Sequence, residues 1–235
     1  MIQKIDTNHP NYREFINNEF ETLERITTRA MLFRIYPVLS NSISTYYDIC
    51  KGKQKKGTLS NIDFHCSFDV NVQNSSHTVI LGALVTEGYE ECSYSLTILG
   101  KDDDEKRVIR KYHFDYAIPA VIVKKQRVPS YHLQYGGELS PIMKKDGLCD
   151  KKLDSWLSVP RLSYYPINFA LLLDLLLCEF RSIETNEVAQ SNIWRDLIFD
   201  NEKFISQPFY TTISDYISSA SYKKGRLLRD VFYGE

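Results

Sequence analysis

The sequence predicts an α+β fold, in which a four-stranded antiparallel sheet is preceded and followed by helices. Three observations predict it: apolar residues recur every three or four positions from about residue 10 to 36, alternate with polar residues from Ile62 to Tyr116, and return at helical spacing after Pro166. The 235 residues suit one domain. We divide it into an N-terminal helical part at 1–56, a sheet at 57–140, and a Pro-rich connector with C-terminal helices at 141–235.

Composition excludes several classes of protein. Charged residues make up 25%, apolar residues 43%, and the net charge is −1, which argues against a molecule coated in nucleic acid. The 16 Tyr and 12 Phe argue against disorder, and the five scattered Cys argue against a disulfide framework or a thiolate zinc site. The N-terminal residues lack the apolar core of a signal peptide, and the most apolar stretch, Ile167–Cys178, is too short for a membrane span. We therefore expect a cytoplasmic protein with no membrane contact.

The N-terminal part reads as helical. A long amphipathic helix is predicted from Pro10 to Tyr36, and Pro37 ends it. A shorter helix is predicted at Ser42–Cys50, followed by a basic, Gly-containing loop.

Four strands follow. They are predicted at Ile62–Val72, Thr78–Thr86, Cys92–Leu99 and Arg107–Tyr116. The first alternates apolar and polar residues without a break, which predicts one buried and one solvated face. Because the connections are short, the four strands are expected to form an antiparallel meander.

The remainder combines an irregular connector with helices. The connector runs from Pro119 to Pro166 and contains one extended piece, Tyr131–Tyr135. The proline that ends it suits the first turn of a helix at Ile167–Arg181, which is apolar on nearly every face and should be central. Two further helices are predicted near Glu187–Ile205 and Phe209–Ala220.

Two short segments each carry a polar pair at i, i+2 spacing. The fourth strand carries His113 and Asp115, and the extended piece carries His132 and Gln134. Side chains alternate across a strand, so each pair lies on the face opposite its aromatic neighbours. If the two segments pair side by side, the four side chains converge on one patch, although the sequence does not define that register.

Such a patch suits metal-independent cleavage of a phosphodiester. One imidazole would take a proton from the attacking hydroxyl and the other would give one to the leaving oxygen. Asp115 would orient an imidazole or act as the base, while Arg161 or Lys111 would stabilise the anionic transition state. His65 would join the patch if the first and fourth strands are neighbours. The alternative is that these are polar residues on the solvated face of a sheet, and that the prolines around Arg161 only shape the crossover.

A basic cluster between the two histidine motifs suggests nucleic-acid binding, since a phosphate backbone needs cationic partners. Aromatic side chains beside it would stack on bases. The candidate nucleic-acid contacts are Lys111, Lys124, Lys125, Arg127, Tyr131, Gln134 and Tyr135. The alternative is a solvated loop without a ligand.

Other chemistries have weaker support in the sequence. His113 and Asp115 followed by a later histidine resemble the two-His-one-carboxylate site of non-haem iron oxygenases, but the predicted strands are too few and His132 follows too soon. There is no P-loop, dinucleotide fingerprint, GxSxG elbow or zinc-protease helix. We therefore expect no metal and no cofactor.

Three motifs, KYHFDY, PSYHLQYGG and VPRLSYYPINFALLLDLLLCEF, resemble a group of uncharacterised bacterial proteins found near toxin–antitoxin and phage-defence genes. The resemblance covers roughly Lys111 to Arg181. It implies a bacterial cytosolic accessory or toxin-like protein, and it brings no activity with it. The positions of interest are His113, Asp115, His132 and Arg161.

The expected function is therefore a bacterial defence- or toxin-type protein that binds RNA or DNA and acts as a metal-independent nuclease. The alternative is a non-catalytic subunit of an anti-phage defence complex. The many aromatic residues and the C-terminal helices would then form a protein interface with other proteins of the system.

Overall fold

The computed structural model describes residues 25, 41–46, 48, 62–72, 75–85, 91–102, 105–117, 131–135 and 161–219. These residues form one antiparallel sheet and a layer of helices, which confirms the α+β prediction. The strands are β1 (Ile62–Val72), β2 (Ser75–Val85), β3 (Glu91–Asp102), β4 (Glu105–Ala117), β5 (Tyr131–Tyr135) and β6 (Arg161–Ser163). The helices are α1 (Phe169–Glu179), α2 (Ile183–Gln190), α3 (Asn192–Asn201), a π-helical turn (Glu202–Ser206) and α4 (Gln207–Ser218).

The sheet has six strands among the described residues, where four were predicted, and their spatial order follows the chain. The first four form the expected meander. The extended piece of the connector is β5 and pairs with β4, while three residues before the first helix form β6 and pair with β5. A strand of three to five residues has little pattern of its own, so its neighbours in the fold decide its pairing.

Helix boundaries are set by capping side chains. Helix α1 begins at Phe169 and not at Pro166, because Oδ1 of Asn168 accepts a hydrogen bond from the backbone N–H of Leu171 at 3.0 Å. The single helix predicted over 187–205 is interrupted at Ser191, whose Oγ accepts from the N–H of Trp194 at 3.3 Å. A serine inside an apolar-periodic stretch thus ends one helix and caps the next.

The N-terminal predictions are only partly within the described residues. The predicted long helix at 10–36 lies outside them except for Arg25, which is helical and places Nη1 3.7 Å from Oδ2 of Asp200. Residues 41–46 are helical, in agreement with the shorter predicted helix.

The core lies between the helices and one face of the sheet. Tyr46, Phe64 and Phe169 come from three separate segments, and their ring centroids are 4.7 to 5.8 Å apart. Most of α1 is buried, as its apolar surface predicts, and Oδ1 of its Asp174 accepts a hydrogen bond from Nε1 of Trp194 at 2.8 Å. We call this side of the sheet the helical face and the opposite side the polar face.

The polar face changes character across the sheet. On β1 it is solvated as predicted, since His65, Ser67 and Asp69 are exposed. On β3 to β5 it carries polar residues that are largely buried, among them Thr97 and Lys111. The prediction of a solvated face for the first strand is therefore confirmed. The alternative that the candidate residues of β4 and β5 lie on a solvated face does not fit the burial of Lys111 and His132.

Candidate active site

The pairing of β4 with β5 brings the two histidine motifs together. Asp115 lies opposite His132 and His113 lies opposite Gln134, all on the polar face. On the other side of β4, Ser93 of β3 lies opposite Asp115. The convergence that depended on register is therefore present. We call Ser93, His113, Asp115, His132 and Gln134 the polar cluster.

Asp115 is the centre of the polar cluster. Oγ of Ser93 donates a hydrogen bond to Oδ1 of Asp115 at 2.5 Å, and Nε2 of His132 lies 3.5 Å from Oδ2. Burial by itself raises the pKa of this carboxyl, but the contacts from His132, His113 and Ser93 outweigh it, so the pKa lies below its usual value. Both carboxylate oxygens are engaged, and the side chain is held as an anion.

His113 has a different environment. Its Nε2 is buried and has no hydrogen-bond partner among the described residues. Burial, and then the positive charge of Lys111, lower its pKa to about 4, against the opposing influence of Asp115. At neutral pH the ring is therefore uncharged, with one ring nitrogen protonated and the other able to accept a proton.

The polar cluster lies just beneath the surface. The side chain of His132 is 6% exposed and that of Asp115 is 24% exposed, so solvent reaches the cluster at Asp115. Lys111, on the same face of β4, is 1% exposed. Its burial does not suit the predicted role of a surface contact for a nucleic-acid backbone.

The two tyrosines predicted to stack on bases lie on the helical face, away from the histidines. Tyr131 is buried, with its ring centroid 5.9 Å from that of Phe209, so its position is that of a core residue. Tyr135 is exposed and its ring meets Tyr112 edge-on at 5.3 Å. Stacking by Tyr131 does not fit this placement, because its ring is already covered by the helical layer.

The remaining predicted residues either lie farther from the polar cluster or fall outside the described residues. Lys124, Lys125 and Arg127 lie outside the described residues. Arg161 is the register partner of Gln134 in β6, one strand beyond the polar cluster. β1 and β4 are separated by two strands, so the condition for His65 to join the cluster is not met.

Sequence reasoning missed the contribution of β3. Ser93, Ser95 and Thr97 alternate with apolar residues and lie opposite Asp115, His113 and Lys111 respectively. This hydroxyl row was visible in the sequence, but only the register shows that it borders the histidines. Gly82 of β2 belongs to the same region, since a Cβ there would lie 2.6 Å from Oγ of Ser95.

Three further findings concern ligands, membranes and relatives. Within the described ranges, His, Cys, Asp and Glu side chains form no group of three that could hold a metal ion. No helix in those ranges combines the length and the apolar character needed to cross a membrane. No family model, no curated protein and no solved structure matches the chain. The geometry of the polar cluster is therefore what supports a functional proposal.

Proposed function

We propose that this chain is a cytoplasmic bacterial protein of the defence or toxin type, which binds nucleic acid and cleaves a phosphodiester at the polar cluster without a metal. One observation carries the proposal: Asp115 is held between Ser93 and His132, and His113 follows on the same face of the same strand. Two imidazoles in unlike environments beside a fixed carboxylate are suited to acid–base chemistry.

The environments of the two rings support different roles for them. His113 is neutral and its Nε2 has no partner among the described residues, so it is the base. His132 lies beside the carboxylate of Asp115, which orients the ring, and we give it the role of the acid on that contact. Asp115 is then a positioning residue and does not itself exchange a proton with the substrate.

RNA carries its own nucleophile for this reaction, the 2′-hydroxyl. His113 removes the proton of the 2′-hydroxyl, whose oxygen forms a bond to phosphorus while the bond from phosphorus to the 5′-oxygen breaks. His132 protonates that leaving oxygen, and the products are a 2′,3′-cyclic phosphate and a 5′-hydroxyl. DNA has no 2′-hydroxyl, so RNA is the favoured substrate.

The test is cleavage of a single-stranded RNA in excess EDTA by the full chain and by three histidine variants. His113→Gln and His132→Gln should each lower the rate about 10²- to 10⁴-fold, the usual contribution of general acid–base catalysis. His65→Gln is the matched control, because His65 is exposed on the polar face of β1, and it should cleave normally. An RNA with a single 2′-deoxy position should resist cleavage there. Full activity in either cluster variant would remove the catalytic role of that histidine.

Arg161 is a separate part of the proposal. Its backbone position beside Gln134 supports a role in holding the phosphate of the substrate. Arg161→Lys keeps the charge but loses the two-pronged hydrogen bonding of the guanidinium, so it should weaken RNA binding. Unchanged binding in a filter or fluorescence assay would leave Arg161 a structural residue of β6.

A second function, a non-catalytic subunit of a defence complex, is favoured by exposed apolar side chains in the helical layer. Phe199 is 62% exposed, and Ile193, Tyr210 and Ile217 are also exposed. Protection of cells against phage that survives His113→Gln but is lost in Phe199→Asp would support this function over cleavage. The reverse pattern would support the nuclease.

A further inference from the structure

Two buried polar atoms on the polar face have no hydrogen-bond partner among the described residues. They are Oγ1 of Thr97 on β3 and Nε2 of His113 on β4. Thr97 is 0% exposed, so its hydroxyl does not contact bulk solvent. A buried polar group without a partner is destabilising, and its persistence in a fold calls for a reason such as a ligand.

A buried cation neighbours both of these residues in the sheet. Lys111 is directly opposite Thr97 and two residues before His113, on the same face of β4. It is buried, and its positive charge helps to lower the pKa of the His113 ring. A buried positive charge attracts anions, so the charge at this position favours a negatively charged ligand over a neutral or positive one.

The dimensions of the region suit a small anion. Side chains directly opposite on neighbouring antiparallel strands have Cβ atoms about 5 Å apart, and diagonal neighbours are about 7 to 8 Å apart. Thr97 and Lys111 are a direct pair, while Thr97 and His113 are a diagonal pair. The register shift between Ile98 and Leu99 interrupts the ladder one residue pair beyond Thr97 and Lys111. Such irregularities re-aim side chains and are frequent next to functional sites.

We propose that Thr97, Lys111 and His113 form a buried site for phosphate, the tetrahedral oxyanion that inorganic phosphate and the phosphoryl group of a nucleotide share. The Thr97 hydroxyl and the Lys111 ammonium donate to phosphate oxygens. When phosphate is bound, the neutral His113 ring takes the tautomer that carries its proton on Nε2 and donates from there, whereas in cleavage it takes the other tautomer, whose Nε2 accepts the proton. The nearby carboxylate of Asp115 is already engaged by Ser93 and His132. The site goes beyond the proposed cleavage, because phosphate can bind here whether or not the histidines react.

The test is calorimetric titration of the full chain with inorganic phosphate, at constant ionic strength in a phosphate-free buffer. Thr97→Val and Lys111→Met should each weaken binding at least about tenfold, since a hydrogen bond to a charged group contributes about 1.5–3 kcal/mol. Thr78→Val is the matched control: Thr78 is also a strand threonine, but its hydroxyl donates to Oδ1 of Asp69 at 2.7 Å. Its phosphate affinity should equal that of the unmodified protein.

Thermal unfolding separates loss of binding from loss of folding. Without phosphate, Thr97→Val should raise Tm by about 2–4 °C, because it replaces a buried hydroxyl that has no partner in the described part of the chain with an apolar group of similar shape. A variant that is more stable and yet binds phosphate less tightly cannot be explained by misfolding.

Competition by a nucleoside 5′-monophosphate distinguishes a nucleotide ligand from free inorganic phosphate. Displacement of inorganic phosphate supports the site with a nucleotide as its ligand, and binding of inorganic phosphate alone supports it with the free anion. Two results would overturn the proposal: no phosphate binding by the unmodified protein, or binding that persists unchanged in both Thr97→Val and Lys111→Met. Neither result bears on RNA cleavage, which is measured separately.

Discussion

The helical layer and the polar face of the sheet both contain buried polar side chains, but the two regions differ in whether the polar atoms of those side chains form hydrogen bonds. In the helical layer, Nδ2 of Asn168 donates to Oδ1 of Asn201 at 2.7 Å, and Oγ of Ser206 donates to the carbonyl of Pro166 at 3.2 Å. On the polar face, Thr97 and His113 keep buried atoms without a partner among the described residues. The difference separates two uses of a buried polar group: a paired one fixes the fold, and an unpaired one is available to a ligand.

The pairing in the helical layer also determines where helices begin and how they pack. Asn168 both caps α1 and bonds Asn201, and Nδ2 of Asn201 donates to the carbonyl of Leu197 at 2.8 Å. One short network therefore joins the start of α1 to the end of α3. No such structural purpose is visible for Oγ1 of Thr97.

The largest expected effect concerns the hydrogen-bonded polar side chains of the helical layer. Asn168→Ala removes the cap, which costs about 0.5–2 kcal/mol. It also leaves the buried amide of Asn201 with one partner fewer, which costs about 1–3 kcal/mol. The free energy of unfolding, measured by urea denaturation, should fall by about 2 to 5 kcal/mol.

The control for this substitution is Asn186→Ala on α2. Asn186 is exposed, so its replacement should change stability by no more than about 0.5 kcal/mol. If the two variants proved equally stable, pairing in the helical layer would not be what holds α1 and α3 together.

The second largest expected effect concerns His113 on the polar face and the pH dependence of the free energy of unfolding. The pKa of His113 is about 4 in the folded chain, against 6.5 for an ordinary histidine. Between these values the unfolded chain binds a proton that the folded chain does not, so stability falls as pH falls. The difference corresponds to about 3 kcal/mol, lost between pH 6.5 and about pH 4. Urea denaturation across this range should show the slope.

His113→Gln should remove most of this slope while leaving the loss at lower pH. That lower loss comes from Asp115, whose folded pKa lies below its usual value of 3.8, so its contribution is lost as pH falls through that region. A slope between pH 4 and 6.5 that is identical in the unmodified protein and in His113→Gln would show that this ring is not buried in its neutral form.

The sequence allowed much of the sheet to be predicted. β1 was predicted residue for residue at Ile62–Val72, because its helical face is apolar and its polar face is solvated. The faces of His113, Asp115, His132 and Gln134 also followed from alternation alone. Both predictions depend only on the period of a strand, which is a local property.

What could not be predicted depends on contacts between distant segments. Alternation places Lys111 on the polar face but does not tell whether that face is covered, so its burial was unexpected. The hydrogen bond from Ser93 to Asp115 depends on the register of β3 against β4. Strand β6 has only three residues, which carry too short a pattern to distinguish a strand from a loop. His113, Asp115, His132 and Gln134 were therefore predictable from the sequence, while Ser93, Thr97 and the environments of all of them were not.

The smallest expected effect concerns a polar pair that joins the two layers at the surface. Nη1 of Arg110 on β4 donates to Oε2 of Glu179 at the end of α1, at 2.8 Å. Arg110 is exposed, so water screens the charges and both long side chains lose freedom when they pair. A double-mutant cycle with Arg110→Met and Glu179→Gln should give a coupling of about 0.2–1 kcal/mol, which falls further in about 1 M salt. A coupling near that expected for Asn168, and insensitive to salt, would mean that pairing itself stabilises this fold, regardless of burial. A small, salt-sensitive coupling would mean that a polar pair stabilises this fold strongly only where water is excluded. Oγ1 of Thr97 and Nε2 of His113, which have no hydrogen-bond partner in the parts of the chain that are described, are buried in such a place, and this is why they indicate a ligand.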